Sequence, residues 1–220
     1  EALDDIISLH LKYTETVLGY NVLFQALDPD NPEILLENDQ ITVSSIPMDH
    51  RIPCTGFLFK EKPKKYRLKK TNDLSNLSFE EINTLKNGSD VMTSTNQVKY
   101  ALEDYTDPPQ KARAYAYCSD TRYNEAIVPF IKSVDLLYHE STFLSDREQR
   151  AFETYHSSAR QAATIALKAG VEKLILGHFS IRYKDLNPLL EEAKAVFPNS
   201  HLAIEGQRIT IELESHEQEA

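Results

Sequence analysis

A chain of 220 residues and 25.1 kDa, 41% hydrophobic and 26% charged with a mean hydropathy of −0.44, has the composition of a water-facing domain that closes one core. No apolar run reaches the roughly 18 residues that a membrane helix needs, and no basic-then-apolar leader opens the chain, which reads as cytoplasmic with no membrane partner. Only two cysteines occur, Cys54 and Cys118, too few for a disulfide framework, and the net charge of −10 opposes nucleic-acid binding unless the basic residues are clustered.

The chain opens at Glu1 rather than a methionine, directly into a helical pattern over residues 3–11 with Leu3, Ile6, Ile7 and Leu11 at helical spacing, so a front segment is expected to be missing. Strand-like segments follow at 22–27, 33–36, 41–47 and 55–59, divided by the turn-rich DPDNP and by His50-Arg51, which predicts an antiparallel region. Next comes the run KEKPKKYRLKK, in which Lys60, Lys62, Lys64, Lys65, Arg67, Lys69 and Lys70 are offset only by Glu61. Seven of the 24 basic residues therefore lie in eleven positions, and the rest of the chain is strongly acidic. Further on, Ser78 and Glu81 have capping-box spacing ahead of a short helix that Asn87-Gly88 would end. Polar and long, residues 60–110 read as an insertion that protrudes from the core.

From Ala112 the pattern becomes an alternation of strand and helix. Strands are predicted at 114–118, 135–138, 173–176, 201–204 and 209–213, and helices at 124–132, 157–168 (stopped by Gly170) and 186–196. This is the signature of an α/β layered fold. Cys54 and Cys118 sit within apolar strand-like stretches, as small buried hydrophobes do.

In such folds functional groups gather beyond the C-terminal ends of strands. Here His50 follows ITVSSIP, Asp120 follows YAYCS, His139 and Glu140 follow VDLLY, and His178 follows KLILG. A single histidine after a strand is usually a surface or hydrogen-bonded residue, and an aspartate there commonly caps a helix. Imidazole and carboxylate together are also the ligand set of hydrolytic zinc, and a shared aspartate can bridge two ions.

Five ordered stretches, MDHRIPCTGFLF, YCSDTRYNE, LLYHESTF, YHSSARQAA and LILGHFSIRY, resemble the segments of the RNase Z family of tRNA 3′-processing endonucleases, in the metallo-β-lactamase superfamily. The resemblance implies a metallo-β-lactamase-type αβ/βα sandwich, incomplete at its N-terminus, as one domain over residues 1–220 with an arm at about 60–110. It implies that His50 binds one zinc, Asp120 bridges two, and His178 binds the other, with manganese the alternative ion. It places His156 and Glu140 beside the scissile phosphate, and Arg182 toward the phosphate or the discriminator end. For His156 a helix-cap role competes, and for Arg182 a surface ion pair.

The implied activity is removal of the 3′ trailer from precursor tRNA by a metal-made hydroxide. The arm, with Lys62, Lys64, Lys65, Arg67, Lys69 and Lys70, would grip the tRNA body, and a homodimer is the expected assembly. Two departures stand out. The arm has no evident Gly-Pro tip motif, and the superfamily's HxHxDH motif, which supplies four ligands, is absent. The chain alone is therefore expected to be inactive and poorly folded. A small-molecule phosphodiesterase or other metallo-hydrolase of the same superfamily, and a non-catalytic RNA-binding or dimerisation protein, are the competing readings.

Overall fold

The computed structural model describes residues 2–212. In chain order they form α1 (Ala2–Tyr13), β1 (Ile34–Glu37), β2 (Ile41–Pro47), β3 (Thr55–Glu61), β4 (Arg67–Leu68), α2 (Phe79–Lys86), β5 (Val91–Met92), β6 (Val98–Tyr100), α3 (Leu102–Tyr105) and β7 (Thr106–Asp107). Then come β8 (Ala114–Cys118), β9 (Leu136–Glu140), α4 (Glu148–Glu153), α5 (Ala159–Ala169), β10 (Lys173–Gly177), α6 (Asn187–Lys194) and β11 (Ser200–Leu202). No helix among these residues is long and apolar enough to cross a membrane.

The described residues build a seven-stranded sheet in the order β1-β2-β3-β8-β9-β10-β11. β2 runs antiparallel to β3, β3 antiparallel to β8, and β8 through β11 are parallel. The two reversals around β3 give β2 the same direction as β8, β9 and β10. All four thus end at one edge of the sheet, and the loops after them share that edge. β3 runs the other way and ends at Glu61, opposite the start of β2 at Ile41, so residues 60–110 are rooted at the far edge.

Alternation along the strands sorts side chains to two faces. Ala116, Cys118, Leu137, Leu174 and Leu176 are buried on one face, against α5 and α6. On α5, Ala159, Ala162, Ala163, Ala166 and Ala169 are buried, and their small size lets the helix lie close to the sheet. The opposite face is aromatic. Phe59 stacks on Tyr115 and Tyr117 on Tyr138, and Ile209 and Ile211 lie along the groove formed by Tyr115, Leu136, Tyr138 and Ile175.

Residues 60–110 carry a small cluster of their own, Leu77, Leu85 and Val91 with Leu68, Ile82, Tyr100, Leu102 and Tyr105 packed around it. The capping box on α2 has both its bonds, Glu81 N–H to Ser78 Oγ at 3.2 Å and Ser78 N–H to Glu81 Oε2 at 2.8 Å, and Asn87 caps the other end. Gly170 ends α5 in the left-handed region at φ 62°, as glycine does most cheaply.

Three sequence expectations fail. Residues 22–27 form no strand, with Leu23 90% exposed, because apolar composition alone makes no ladder where no neighbouring strand pairs. The helix expected at 124–132 shrinks to a single 3₁₀ turn at Glu125–Ile127 that Asn124 caps. Residues 209–212 follow the sheet face without strand pairing, and Leu213 lies outside the described residues.

Candidate metal and acid–base site

Glu140, the last residue of β9, is fully buried and accepts four hydrogen bonds. Its Oε1 receives the Thr121 N–H at 2.6 Å and His156 Nδ1–H at 3.0 Å. Its Oε2 receives the Thr142 hydroxyl at 2.7 Å and the Ser157 N–H at 3.0 Å. Burial pushes the carboxyl up, but the bond and charge of His156, with the Ser157 and Thr142 donors, outweigh it, and the group is held below its ordinary range. Reciprocally, the bond to Glu140 raises the imidazole of His156 against partial burial.

Each imidazole at this edge is held through Nδ1. Tyr155 offers His50 Nδ1 only a carbonyl oxygen, at 3.0 Å, so that nitrogen carries the proton. The same holds for His156 against Glu140. The single proton of Thr142 faces two oxygens that can only accept, Glu140 Oε2 at 2.7 Å and the His178 carbonyl at 2.9 Å, so its own oxygen accepts from His178 Nδ1–H at 2.8 Å. The Nε2 lone pairs of His50 and His178 are left for other use, the arrangement by which a second partner fixes the tautomer of a metal-ligating histidine, whereas the raised pKa of His156 favours a second proton, on its Nε2.

Asp120, His178, His156 and Glu140 each bring a ligand-type atom within 4.8 Å of the others. His178 Nε2 and Asp120 Oδ1 are 3.2 Å apart, and both side chains remain partly open to solvent. Glu140 belongs to the cluster by distance, but its oxygens are already filled by four donors, so its chemistry is to hold His156. His50 stands outside the 4.8 Å group, and its ring lies 5.4 Å from that of His156, which is in turn 5.1 Å from His178. Nitrogen and carboxylate donors with free lone pairs fit a divalent ion of the zinc type. Asp120 and His178 are the members of the cluster most open to solvent, and His50 stands beside it.

The backbone supports this placement. Asp120 and His178 both adopt positive φ, 54° and 56°, at the turns that leave β8 and β10, and Tyr155 does so at 60°. Such conformations are uncommon outside glycine and collect at functional sites. His139 turns from this edge into the core, where burial lowers its pKa and its Nε2 has no partner among the described residues. Arg182 makes no ion pair among the described residues. It is exposed, bonds Ser180 Oγ through Nε at 2.9 Å and lies 5.1 Å over the Phe143 ring.

The basic residues of the run sit apart from this edge, within residues 60–110. Lys62 pairs with Glu37 at 2.7 Å, Lys64 reaches Glu61 at 3.9 Å, and Lys69 donates to the Glu103 carbonyl. Lys65, Arg67 and Lys70 make no ion pair among the described residues. Thr121, Thr142 and Ser157, which hold the Glu140 carboxylate in place, escaped sequence reading, because the first and last act through backbone N–H groups and a lone loop hydroxyl carries no periodic signal.

No family model matches the sequence. A ribonuclease Z of Cytophaga hutchinsonii is 48% identical over 204 residues, covering 93% of this chain and 65% of that protein. One from Bacteroides fragilis is 43% identical over 214 residues, covering 96% and 69%. The chain thus spans about two thirds of the length of the curated relatives it matches. Among solved structures, human tRNase Z, short form, superposes with a TM-score of 0.57 at 20% identity, covering 96% of this chain and 65% of that one. The metallo-β-lactamase fold protein YhfI from Bacillus subtilis superposes with a TM-score of 0.53 at 19% identity, covering 87% and 57%. Both likenesses concern the fold, which is of the metallo-β-lactamase type.

Proposed function

The chain belongs to the ribonuclease Z family, and from that premise we propose that it carries the acid–base centre and part of the metal shell of an endoribonuclease that removes the 3′ trailer from precursor tRNA. The observation that carries this reading is the meeting of Asp120 and His178 with the Glu140-held His156 within 4.8 Å at one sheet edge. His178, Asp120 and His50 would hold the metal, which we propose is zinc. A bound divalent ion there supplies Lewis acidity toward a phosphoryl oxygen and makes water a usable nucleophile near neutral pH.

His156 holds a proton. With Nδ1–H fixed on Glu140 and the ring's pKa raised, its Nε2–H can be given to the departing 3′ oxygen of the tRNA body. Arg182, free of any acidic partner among the described residues, would meet the phosphate. Lys62, Lys64, Lys65, Arg67, Lys69 and Lys70 would hold the body of the RNA through its backbone, a contact that positions without reading bases. A second copy of the chain is the proposed assembly partner, and the cytoplasm the proposed compartment.

The test compares two substrates with the native protein. Replacing His156 by alanine should lower kcat on precursor tRNA by about 10²-fold or more, as loss of an acid–base group does, and lower it much less on a chromogenic phosphodiester, whose phenolate departs without needing a proton. Replacing Lys65, Arg67 and Lys70 together by alanine should raise KM for precursor tRNA and leave the small diester unchanged. Equal damage to both substrates by the arm variant removes the arm from RNA binding. Turnover of the diester without any turnover of precursor tRNA by the unmodified protein makes it a small-molecule phosphodiesterase instead.

A further inference from the structure

Arg122 lies two residues beyond Asp120 and makes more directional contacts than a surface arginine needs. Its Nε donates to Asp49 Oδ2 at 2.7 Å, and its backbone N–H donates to the Asp49 carbonyl at 3.0 Å. Its guanidinium lies 4.7 Å from the Phe152 ring centre and 4.5 Å from that of Tyr155, so that both aromatic rings flank it. Asp49 is joined a third time to the same loop, its N–H donating to Thr121 Oγ1 at 3.1 Å. Asp49 immediately precedes His50, and the Tyr155 carbonyl receives His50 Nδ1–H.

We infer that Arg122 is a positioning residue that sets the tautomer and direction of the His50 ring by tying together the loops on either side of it. The physical reason is that neither loop fixes itself. Tyr155 holds φ at 60°, a conformation that a bulky aromatic residue keeps only when its surroundings impose it. The guanidinium against its ring supplies part of that constraint, through a cation–π contact strengthened by partial burial. The same guanidinium pins Asp49 by a charge-assisted bond and so fixes the backbone from which His50 projects. A planar group that stacks and donates in one plane suits both tasks, and lysine suits neither. The result is an imidazole with Nδ1 protonated and Nε2 bare, whether or not a metal is present. That the bare nitrogen serves a metal rests on the hydrolase reading above, and the tautomer does not.

The experiment reads the imidazoles directly, by long-range proton–nitrogen correlation spectra of the full metal-free chain at a pH where the rings are neutral. In the native chain His50 and His178 should each show two well-separated nitrogen resonances with the proton on Nδ1. In Arg122→Leu and in Asp49→Asn the His50 pair should move toward each other as the second tautomer becomes populated. His178, held by Thr142 on another loop, should stay unmoved. Asp49→Asn removes one charge and leaves the backbone bonds in place, so it carries the test if Arg122→Leu fails to fold. A native-like chain in which His50 stays unmoved, or in which both rings move together, overturns the inference. An enzyme that loses activity in Arg122→Leu with the His50 tautomer intact would instead place Arg122 on the substrate.

Discussion

At Asp120 and His178 the chain turns into the left-handed region, at φ 54° and 56°, to bring a carboxylate and an imidazole to 3.2 Å. For a residue with a Cβ this conformation costs on the order of 1 kcal/mol, and glycine escapes the cost. The expected outcome is that His178→Gly and Asp120→Gly are each more stable than the corresponding alanine variants, by about 1 kcal/mol in equilibrium denaturation. Alanine variants equal to the glycine variants would mean that these turns carry no strain. The four donors on Glu140 show why a buried carboxylate can persist beside a cluster of imidazoles, since each oxygen is twice bonded and burial is more than offset. Cys118 illustrates the opposite case. Fully buried with no charge to compensate, its thiol is pushed up to about 12, and it behaves as a core hydrophobe, as the apolar run around it foretold.

Among the elements, β10 depends on one glycine. A Cβ at Gly177 would stand 2.0 Å from the Tyr138 hydroxyl, and the ring itself is within 2.5 Å. Gly177→Ala is expected to cost at least the 1–3 kcal/mol or so of an overpacked core, and to shift the turn that delivers His178. Adding Tyr138→Ala should recover part of that loss, which a double-mutant cycle by thermal unfolding would measure. Additive losses would place the strain elsewhere. On α5, the capping box joins Ser158 to Gln161, with the Gln161 N–H on Ser158 Oγ at 3.2 Å. Because the residues just before that cap, His156 and Ser157, touch Glu140, the start of this helix also sets the geometry of the acid–base pair. The sequence marks the cap and its glycine stop plainly, since both are local signals.

Over the whole molecule, what was legible followed from locality. β2 and β8 match the expected ranges, and α2 and α5 lie close to theirs, because period, cap and stop all lie within each stretch. Residues 22–27 misled because a strand is a property of two segments and composition reports only one. His50, Asp120, Glu140 and His178 stood out as polar residues ending apolar strands, but Arg122 did not, because Phe152 and Tyr155, which give it a role, lie far along the chain. Long-range pairing also sets the acid response. Glu61, at the end of β3, accepts from Arg113 Nη2 at 2.5 Å and from its backbone N–H at 3.0 Å, and the guanidinium takes its carboxyl from an ordinary 4.5 down to about 2. A depressed carboxyl stabilises the fold above its unfolded value, and that contribution fades as pH falls from about 4.5 toward about 2. Arg113→Gln should flatten the stability profile across that window, its loss of stability being full near neutrality and fading toward pH 2, as acid titration of unfolding would report. A profile with unchanged slope would remove Glu61 from the acid response.

The direction of β3 has a further consequence. Seven residues of strand separate its start, beside the histidines, from its end, where the lysine run begins, a length of about 20 Å at the usual rise per residue. Any ligand that engages both ends at once must be at least as long as that strand. The sheet therefore acts as a gauge: a mononucleotide can occupy one end only, whereas a folded helical RNA is long enough to register against both.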